Sequence, residues 1–433
     1  MRVLMFGWEF PPHISGGLGT ACYGMTKGLA NNDVDVLFVM PTASGDEDQS
    51  AVSIIDASDV AVSETCTSVD EFLGKVQFLR VGSNIMPYIS PEDYSLLSED
   101  EKKFQRKEFF THFNSKYKFS GKYGTNLMEE VSRYAMVGGA IASANQFDVI
   151  HAHDWLTYLA GIAAKRISGK PLVVHVHATE FDRTGENYNT IVYDIEQRGM
   201  READRVITVS DWTRNIVINK YGIDPAKVVT VHNAVDFSGR SGVEVNRTVK
   251  EKLVTFLGRV TSQKGPEYFI EAAKKVLDRC DNVRFVMAGS GDLLNRSVRR
   301  VAQLGIADKF HFTGFLRGAD VQKMFAYSDV YVMPSVSEPF GISPLEAMIS
   351  NVPTIISKQS GVAEVLKYAI KVDFWDIDAL GDAIYSLVNR PAIAKMAGEK
   401  GYEEVSLIKW NNAAKKIKDV YEDAVNAAHA DQK

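Results

Sequence analysis

Cysteine is scarce: Cys22, Cys66 and Cys280 are the only three in a chain of 433 residues, and they are widely spaced. An odd number without metal-ligand spacing supplies neither a disulfide framework nor a structural zinc cluster, and it fits a reducing, cytoplasmic setting. A dominant charge is lacking as well. Lys plus Arg number 49 against 55 Asp plus Glu, a net charge of -6 with no long basic run, so nucleic acid is not an expected partner. No apolar run is long enough to span a membrane, and the apolar stretch 1–7 stops at Trp8-Glu9, too short for a signal peptide. The 32 glycines and 13 prolines are ordinary for a globular chain and exclude a collagen-like or disordered one.

What is present is alternation. Short apolar runs bounded by Gly, Asp or Pro recur at 3–6, 34–40, 76–81, 148–152, 172–176 and 205–209. Their unbroken apolar character predicts strands covered on both faces. Helical patterns lie between them at 19–30, 126–144, 155–166 and 212–221, the last with Ser210 and Asp211 as cap candidates. The pattern lapses around 228–241, read as an interdomain linker. It then restarts with strands at 253–257, 283–288, 310–312, 329–333 and 354–356 and helices at 266–279 and 294–304. The fold class is therefore α/β, with two Rossmann-like doubly wound domains spanning 1–240 and 241–410. Residues 42–125 form an irregular, aromatic-rich insertion that either packs its own aromatics or lines a carbohydrate groove. A final helix at about 411–428 carries an apolar stripe that needs a partner surface.

Five motifs carry chemistry. Gly16-Gly17-Leu18-Gly19 follows the first strand and opens a helix, where backbone amides and the helix dipole can seat a diphosphate, although such a turn is often only a tight turn. Arg259 and Lys264 follow the first strand of the second domain and can flank a diphosphate, Arg as a fork and Lys as a point charge. Glu338 and Glu346 follow the strand at 329–333. Ser343-Pro344-Leu345-Glu346 spells a capping box, which leaves Glu338 as the carboxylate free to bind sugar hydroxyls or stabilise positive charge. His151-Ala152-His153 and His175-Val176-His177 each place two imidazoles on one strand face, as substrate contacts, as partner-satisfied groups or as ligands in a metal-dependent hydrolase. Asp-x-Asp pairs at Asp33/Asp35, Asp46/Asp48 and Asp376/Asp378 read as solvated turns or caps rather than metal ligands.

Gly16-Gly17-Leu18, His151-Ala152-His153-Asp154-Trp155, Gly258-Arg259 with Lys264-Gly265, and Glu338-Pro339-Phe340-Gly341 with Glu346 together resemble the retaining glycosyltransferases of the two-Rossmann, or GT-B, architecture. The nearest likeness is to glycogen and starch synthases and their relatives in glycosyltransferase family 4. The resemblance implies two domains facing a central cleft, the final helix packing back on the first domain, and transfer of glucose from UDP-glucose or ADP-glucose to the non-reducing end of an α-1,4-glucan. It implies catalytic roles for Glu338, His153, Arg259 and Lys264. The donor would be bound by Gly16, Gly17, Arg259, Lys264, Thr313, Phe315, Leu316, Glu338, Phe340, Gly341, Ile342 and Glu346, and acceptor-side contacts would come from His177 and Glu180. It implies no metal and no other cofactor, the nucleotide-sugar being a co-substrate. One departure stands out: Ile14-Ser15-Gly16-Gly17-Leu18 occupies the place where bacterial glycogen synthases typically carry Lys-Thr-Gly-Gly-Leu, so a lysine charge is missing. The alternatives are a family relative with a lipid, small-sugar or sugar-phosphate acceptor, a sugar-nucleotide epimerase of the same fold, or a non-catalytic glucan-binding protein.

Overall fold

The computed structural model describes residues 1–13, 17–60, 116–121, 127–236 and 249–430. The expected strand at 76–81, most of the insertion and the boundary at 240/241 lie outside the described residues. The chain forms two compact units. One comprises Met1–Val209, Thr213–Val231 and Trp410–Lys433, the other Ser210–Trp212 and His232–Lys409.

The first unit is built on seven parallel strands: β1 (Arg2–Phe6), β2 (Asp35–Met40), β3 (Ser53–Asp56), β4 (Val149–His153), β5 (Leu172–Val176), β6 (Arg205–Thr208) and β7 (Val228–Thr230), in the order β3-β2-β1-β4-β5-β6-β7. β4 and β5 are buried along their whole length, as the unbroken apolar runs predict for strands covered on both faces. β3 escapes the pattern because it is half-buried at the sheet edge, and β7 because it is three residues long. The helices are α1 (Gly17–Ala30), α2 (Leu127–Ala144), α3 (Trp155–Ser168), α4 (Glu180–Thr184), α5 (Thr190–Glu202) and α6 (Asp211–Tyr221). Ser210 Oγ donates to the Pro339 carbonyl at 2.5 Å, and the N–H groups of Asp211 and Trp212 are held by the Glu364 carboxylate at 2.9 and 2.7 Å.

The second unit has six parallel strands, β8 (Lys252–Leu257), β9 (Val283–Ala288), β10 (Phe310–Gly314), β11 (Val330–Met333), β12 (Thr354–Ser357) and β13 (Ile370–Val372), in the order β10-β9-β8-β11-β12-β13. β13 is too short, and broken by Lys371, to register as an apolar run. Its helices are α7 (Pro266–Leu277), α8 (Leu294–Gln303), α9 (Ala319–Tyr327), α10 (Ser343–Ile349), α11 (Ile377–Asn389) and α12 (Pro391–Val405).

The last helix, α13 (Trp410–Ala430), belongs to the first unit and lies against α1. The two backbones approach so closely that a Cβ on Gly28 would stand 2.7 Å from the Trp410 carbonyl oxygen and 2.8 Å from Ala414 Cβ. Because the first obstacle is backbone, it cannot swing aside as a side chain could. Gly28→Ala is expected to lower stability by about 1–3 kcal/mol, the usual cost of overpacking, measured by urea unfolding. Among the described residues no helix is long and apolar enough to cross a membrane.

In each sheet the strand order reverses once, between β1 and β4 in the first unit and between β8 and β11 in the second. Ligands of doubly wound sheets bind outside the carboxyl ends of the strands at such a reversal. The glycine turn follows β1, the Arg259–Lys264 loop follows β8 and the Glu338–Glu346 segment follows β11, while the histidine pairs lie on β4 and at the end of β5.

Candidate active site

In the second unit the loop after β8 is stitched to its neighbour, with Gly258 N–H donating to Ala288 O at 3.0 Å and Val260 N–H to Ser290 O at 2.9 Å. Val260 is thereby buried and Arg259 is left exposed, with no ion-pair partner among the described residues. Farther along, Gly265 takes φ 65°, and a Cβ there would lie 2.2 Å from the Pro334 carbonyl oxygen. Only glycine permits both the left-handed turn and this approach between the loops after β8 and β11. Val336 N–H closes the junction on Gln263 O at 2.8 Å.

That junction brings Lys264 Nζ to 2.5 Å from Glu338 Oε2, and Ser335 Oγ donates to the same oxygen at 3.1 Å. The Glu338 backbone is clamped as well: its N–H donates to Gln359 O at 3.0 Å and its carbonyl accepts from Gly361 N–H at 2.9 Å. With side-chain exposures of 8% for Glu338 and 20% for Lys264, the pair is weakly screened, and its charge-assisted bond fixes the carboxylate. Phe340 is buried and Gly341, at φ 100°, turns the chain into α10, with Ile342 half-buried before it.

The capping-box expectation at 343–346 fails. α10 begins at Ser343 itself and has no side-chain cap, while the Ser343 hydroxyl bonds the buried Tyr331 hydroxyl, which in turn donates to Leu257 O at 3.3 Å. Glu346 stands on the first turn of α10, close enough to Tyr331 to act on it electrostatically. Thr313, Phe315 and Leu316 are not brought against Lys264 or Glu338. They lie at and beyond the end of the edge strand β10, two strands from β8, and the exposed Phe315 ring carries the Arg317 guanidinium 5.1 Å from its centroid.

In the first unit Gly16 lies outside the described residues, and Gly17 opens α1 on the surface. The helix start already faces a negative group of the chain itself: the buried Glu9 carboxylate accepts from Gly19 N–H at 3.2 Å. On β4 and at the end of β5 the four histidines converge. The β4–β5 register sets His153 beside His175, His151 stacks 5.3 Å from His175, and His153 Nδ1 lies 2.9 Å from His177 Nε2. His151 Nδ1 pairs with the Tyr421 hydroxyl at 2.5 Å. Burial holds His151 and His177 down at about 3 and His153 and His175 well below the ordinary imidazole value. His153 has no exposed surface, and His177 is the half-buried member of the four.

Asp154, directly after β4, sits at φ 57° and ψ 172°, backbone that costs a non-glycine residue on the order of 1–3 kcal/mol. Its carboxylate offsets that strain by accepting the N–H groups of His177 at 2.7 Å and Ala178 at 3.3 Å, and burial raises it to about 6. The next turn is capped by Thr179, whose hydroxyl and backbone exchange bonds with Asp182. Glu180 is buried: its carboxylate takes the Arg183 Nε at 2.9 Å and the Asn189 N–H at 3.1 Å. Arg183 also grips Glu196, which accepts from the Tyr221 hydroxyl and from Glu180 N–H. The Asp-x-Asp pairs are engaged elsewhere: Asp376 caps α11, Asp46 meets His13, Asp48 meets Tyr23, and Asp35 meets Arg2.

Two family models match successive parts of the chain: Glycosyltransferase Family 4 over residues 103–238 and Glycosyl transferases group 1 over residues 243–404. The fold matches the solved sucrose-phosphate synthase from Thermosynechococcus elongatus with a TM-score of 0.70 at 16% identity, over 98% of this chain and 99% of that one. The chain is a glycosyltransferase of the GT-B fold. It is 29% identical to an uncharacterized glycosyltransferase of Methanocaldococcus jannaschii over 98% of this chain and 99% of that protein. It is 24% identical to the glycogen synthase of Mycobacterium tuberculosis, over 97% and 94% of the two chains.

Several residues that shape this glycosyltransferase's candidate site escaped the sequence reading. Ser335 and the 359–361 turn orient Glu338; Ser335 stands three positions before it in the same motif, whereas the turn carries no local signal. Glu9 was legible as a carboxylate interrupting an apolar stretch. Glu196 belongs to an ordinary amphipathic helix, and nothing local marks it.

Burial pushes the Glu196 carboxyl up from its ordinary 4.5 to about 7, with Arg183 opposing the shift. Between those values the folded chain binds more protons at this site than the unfolded chain, so this contribution to stability falls as pH rises. Stability relative to Glu196→Gln, which cannot titrate, is expected to decline from about pH 4.5 to about pH 7, followed by urea midpoints at each pH. Parallel curves for the two proteins would contradict this.

Proposed function

We propose that this glycosyltransferase retains anomeric configuration while transferring glucose from UDP-glucose or ADP-glucose to the non-reducing end of an α-1,4-glucan. The observation that carries this reading is the Lys264–Glu338 pair, held at the strand-order reversal of the second unit with Arg259 exposed on the same loop. In the proposed reaction Arg259 and Lys264 neutralise the departing nucleoside diphosphate, so no divalent metal is required for that step. Glu338 contacts the sugar hydroxyls and the oxocarbenium-like transition state, and Glu346 holds the ribose. The acceptor hydroxyl attacks from the face the diphosphate leaves, forming the new C1–O bond as the old one breaks, and a phosphate oxygen takes its proton. Donors fixed in advance where charge develops are worth several kcal/mol, because they need not reorganise as the bond breaks. The carboxylate at the start of α1 argues for placing the diphosphate on the Arg259–Lys264 loop rather than on the Gly16–Gly17 turn.

The test is incubation with labelled UDP-glucose or ADP-glucose, with and without glycogen, in the presence and absence of EDTA. Label entering glycogen despite EDTA is the expected result. Nucleotide released without any acceptor would point to an epimerase, and EDTA-sensitive transfer would restore the metal-dependent reading. Release stimulated only by glucose 1-phosphate or a small sugar would move the acceptor away from glucan.

A further inference from the structure

Glu338 is held by more than its own bonds. The residues on either side of it are both gripped by one short stretch of chain, Ser210-Asp211-Trp212. Ser210 Oγ donates to the Pro339 carbonyl at 2.5 Å, and Trp212 Nε1 donates to Ser337 Oγ over a longer 3.4 Å. This stretch belongs to the same compact unit as Glu338, although the chain just before and just after it belongs to the other. The packing around the first bond leaves no slack. A Cβ on Gly361 would stand 2.2 Å from the Pro339 carbonyl oxygen and 2.4 Å from Ser210 Cβ, and Ser210 is fully buried, where its hydroxyl cannot turn to water instead.

Glu364 fixes the stretch itself. Its two carboxylate oxygens take separate N–H groups, Oε2 that of Asp211 at 2.9 Å and Oε1 that of Trp212 at 2.7 Å, and Oε2 also lies 2.7 Å from His232 Nε2. The first N–H groups of a helix have no partner within it, and hydrogen bonds to a carboxylate are strong, so this side chain sets where α6 starts. Glu364 also ends the short 3-10 turn Gly361–Glu364, and the Gly361 N–H at the head of that turn bonds the Glu338 carbonyl at 2.9 Å. The contacts therefore close on themselves. One turn carries the Glu338 backbone at its head and, at its tail, holds the stretch that grips Ser337 and Pro339. We propose that Glu364 is a positioning residue for Glu338, acting through Ser210 and Trp212; this rests on the role given to Glu338 in the proposed reaction. Glutamine cannot replace it, because its side chain offers one acceptor oxygen in place of two and turns an N–H₂ group toward a backbone donor.

Glu364→Ala and Glu364→Gln, made in the full chain, are compared with the parent by steady-state kinetics on glycogen with whichever of UDP-glucose and ADP-glucose the parent turns over. A thermal melt and a calorimetric titration with UDP or ADP accompany each. The expected result is a fall in kcat of about 10- to 100-fold, the size of loss that a small misplacement at the reacting centre brings, with donor KM and nucleoside diphosphate affinity close to the parent's. Ser210→Ala, which removes a single hydroxyl, should show the same split to a smaller degree and serves if the Glu364 variants do not fold. A Glu364 that only stabilises the fold would lower the melt and leave kcat per folded chain unchanged. The proposal is overturned by that result, or by kcat and nucleotide affinity falling together. Glu338→Gln separates it from the reading beneath it. Normal turnover there, or a parent inactive with both donors, removes the reading and the proposal with it, whereas an inactive Glu338→Gln beside a normal Glu364→Ala removes only the positioning role.

Discussion

Arg259→Ala should turn over its donor about 10²–10³-fold more slowly than the parent protein, the loss seen when one fixed donor to a developing negative charge is removed. Its stability should stay within about 0.5 kcal/mol, because the side chain is exposed and has no ion-pair partner among the described residues. This separation of activity from folding makes Arg259 a cleaner probe than Lys264. Truncating Lys264 also strips the cation from Glu338, whose side chain is 8% exposed, so any fall in activity would mix lost charge neutralisation with a misplaced carboxylate. Steady-state kinetics with UDP-glucose and ADP-glucose, paired with a thermal melt, measure both quantities. Near-normal turnover of Arg259→Ala with either donor would remove this loop from the leaving-group role.

Arg183→Ala should cost stability rather than chemistry, by about 3–5 kcal/mol, the penalty for leaving buried charge without its partner. The Arg183 side chain is 11% exposed and bonds two carboxylates, Glu180 at 4% and Glu196 at 3% exposure. Both carboxylates also hold backbone N–H groups that shape the turn after β5, those of Asn189 and Glu180. The effect should be largest above about pH 7, where Glu196 is ionised in the folded chain. Arg183→Ala combined with Glu196→Gln should recover part of the loss, and the double-mutant cycle gives the coupling. A loss under about 1 kcal/mol for Arg183→Ala in urea unfolding would mean that water reaches this cluster.

The fold was legible wherever strands are covered on both faces. β1, β4, β5 and β11 stand out as largely apolar, buried runs, and the loops that follow β1, β8 and β11, together with the ends of β4 and β5, carry the unusual residues. Edge and short strands were not legible, because β3 is half-buried and β13 is only three residues long with a lysine in the middle. Of the candidate site, the Lys264–Glu338 pair could be suspected from two motifs 74 residues apart, but its clamp could not: Gln359 and Gly361 act through backbone groups, which any residue type supplies. The capping box at 343–346 matched in spelling and failed in geometry, since α10 starts one residue too early for Ser343 to act as its cap. The histidine pairs were visible as two motifs, and their convergence required the parallel register of β4 on β5. Glu196 had no sequence signal, since its importance comes from Arg183 and Tyr221 meeting it across 13 and 25 residues of chain.

The central claim is transfer of glucose with retention by a site built on Arg259, Lys264 and Glu338. Proton NMR of the first product formed from UDP-glucose or ADP-glucose and a short α-1,4-glucan tests it most directly. Growth of an α-anomeric signal at the non-reducing end, abolished in Arg259→Ala, is the predicted result. A β-anomeric product, or an α-linked product formed equally fast by Arg259→Ala, would contradict it.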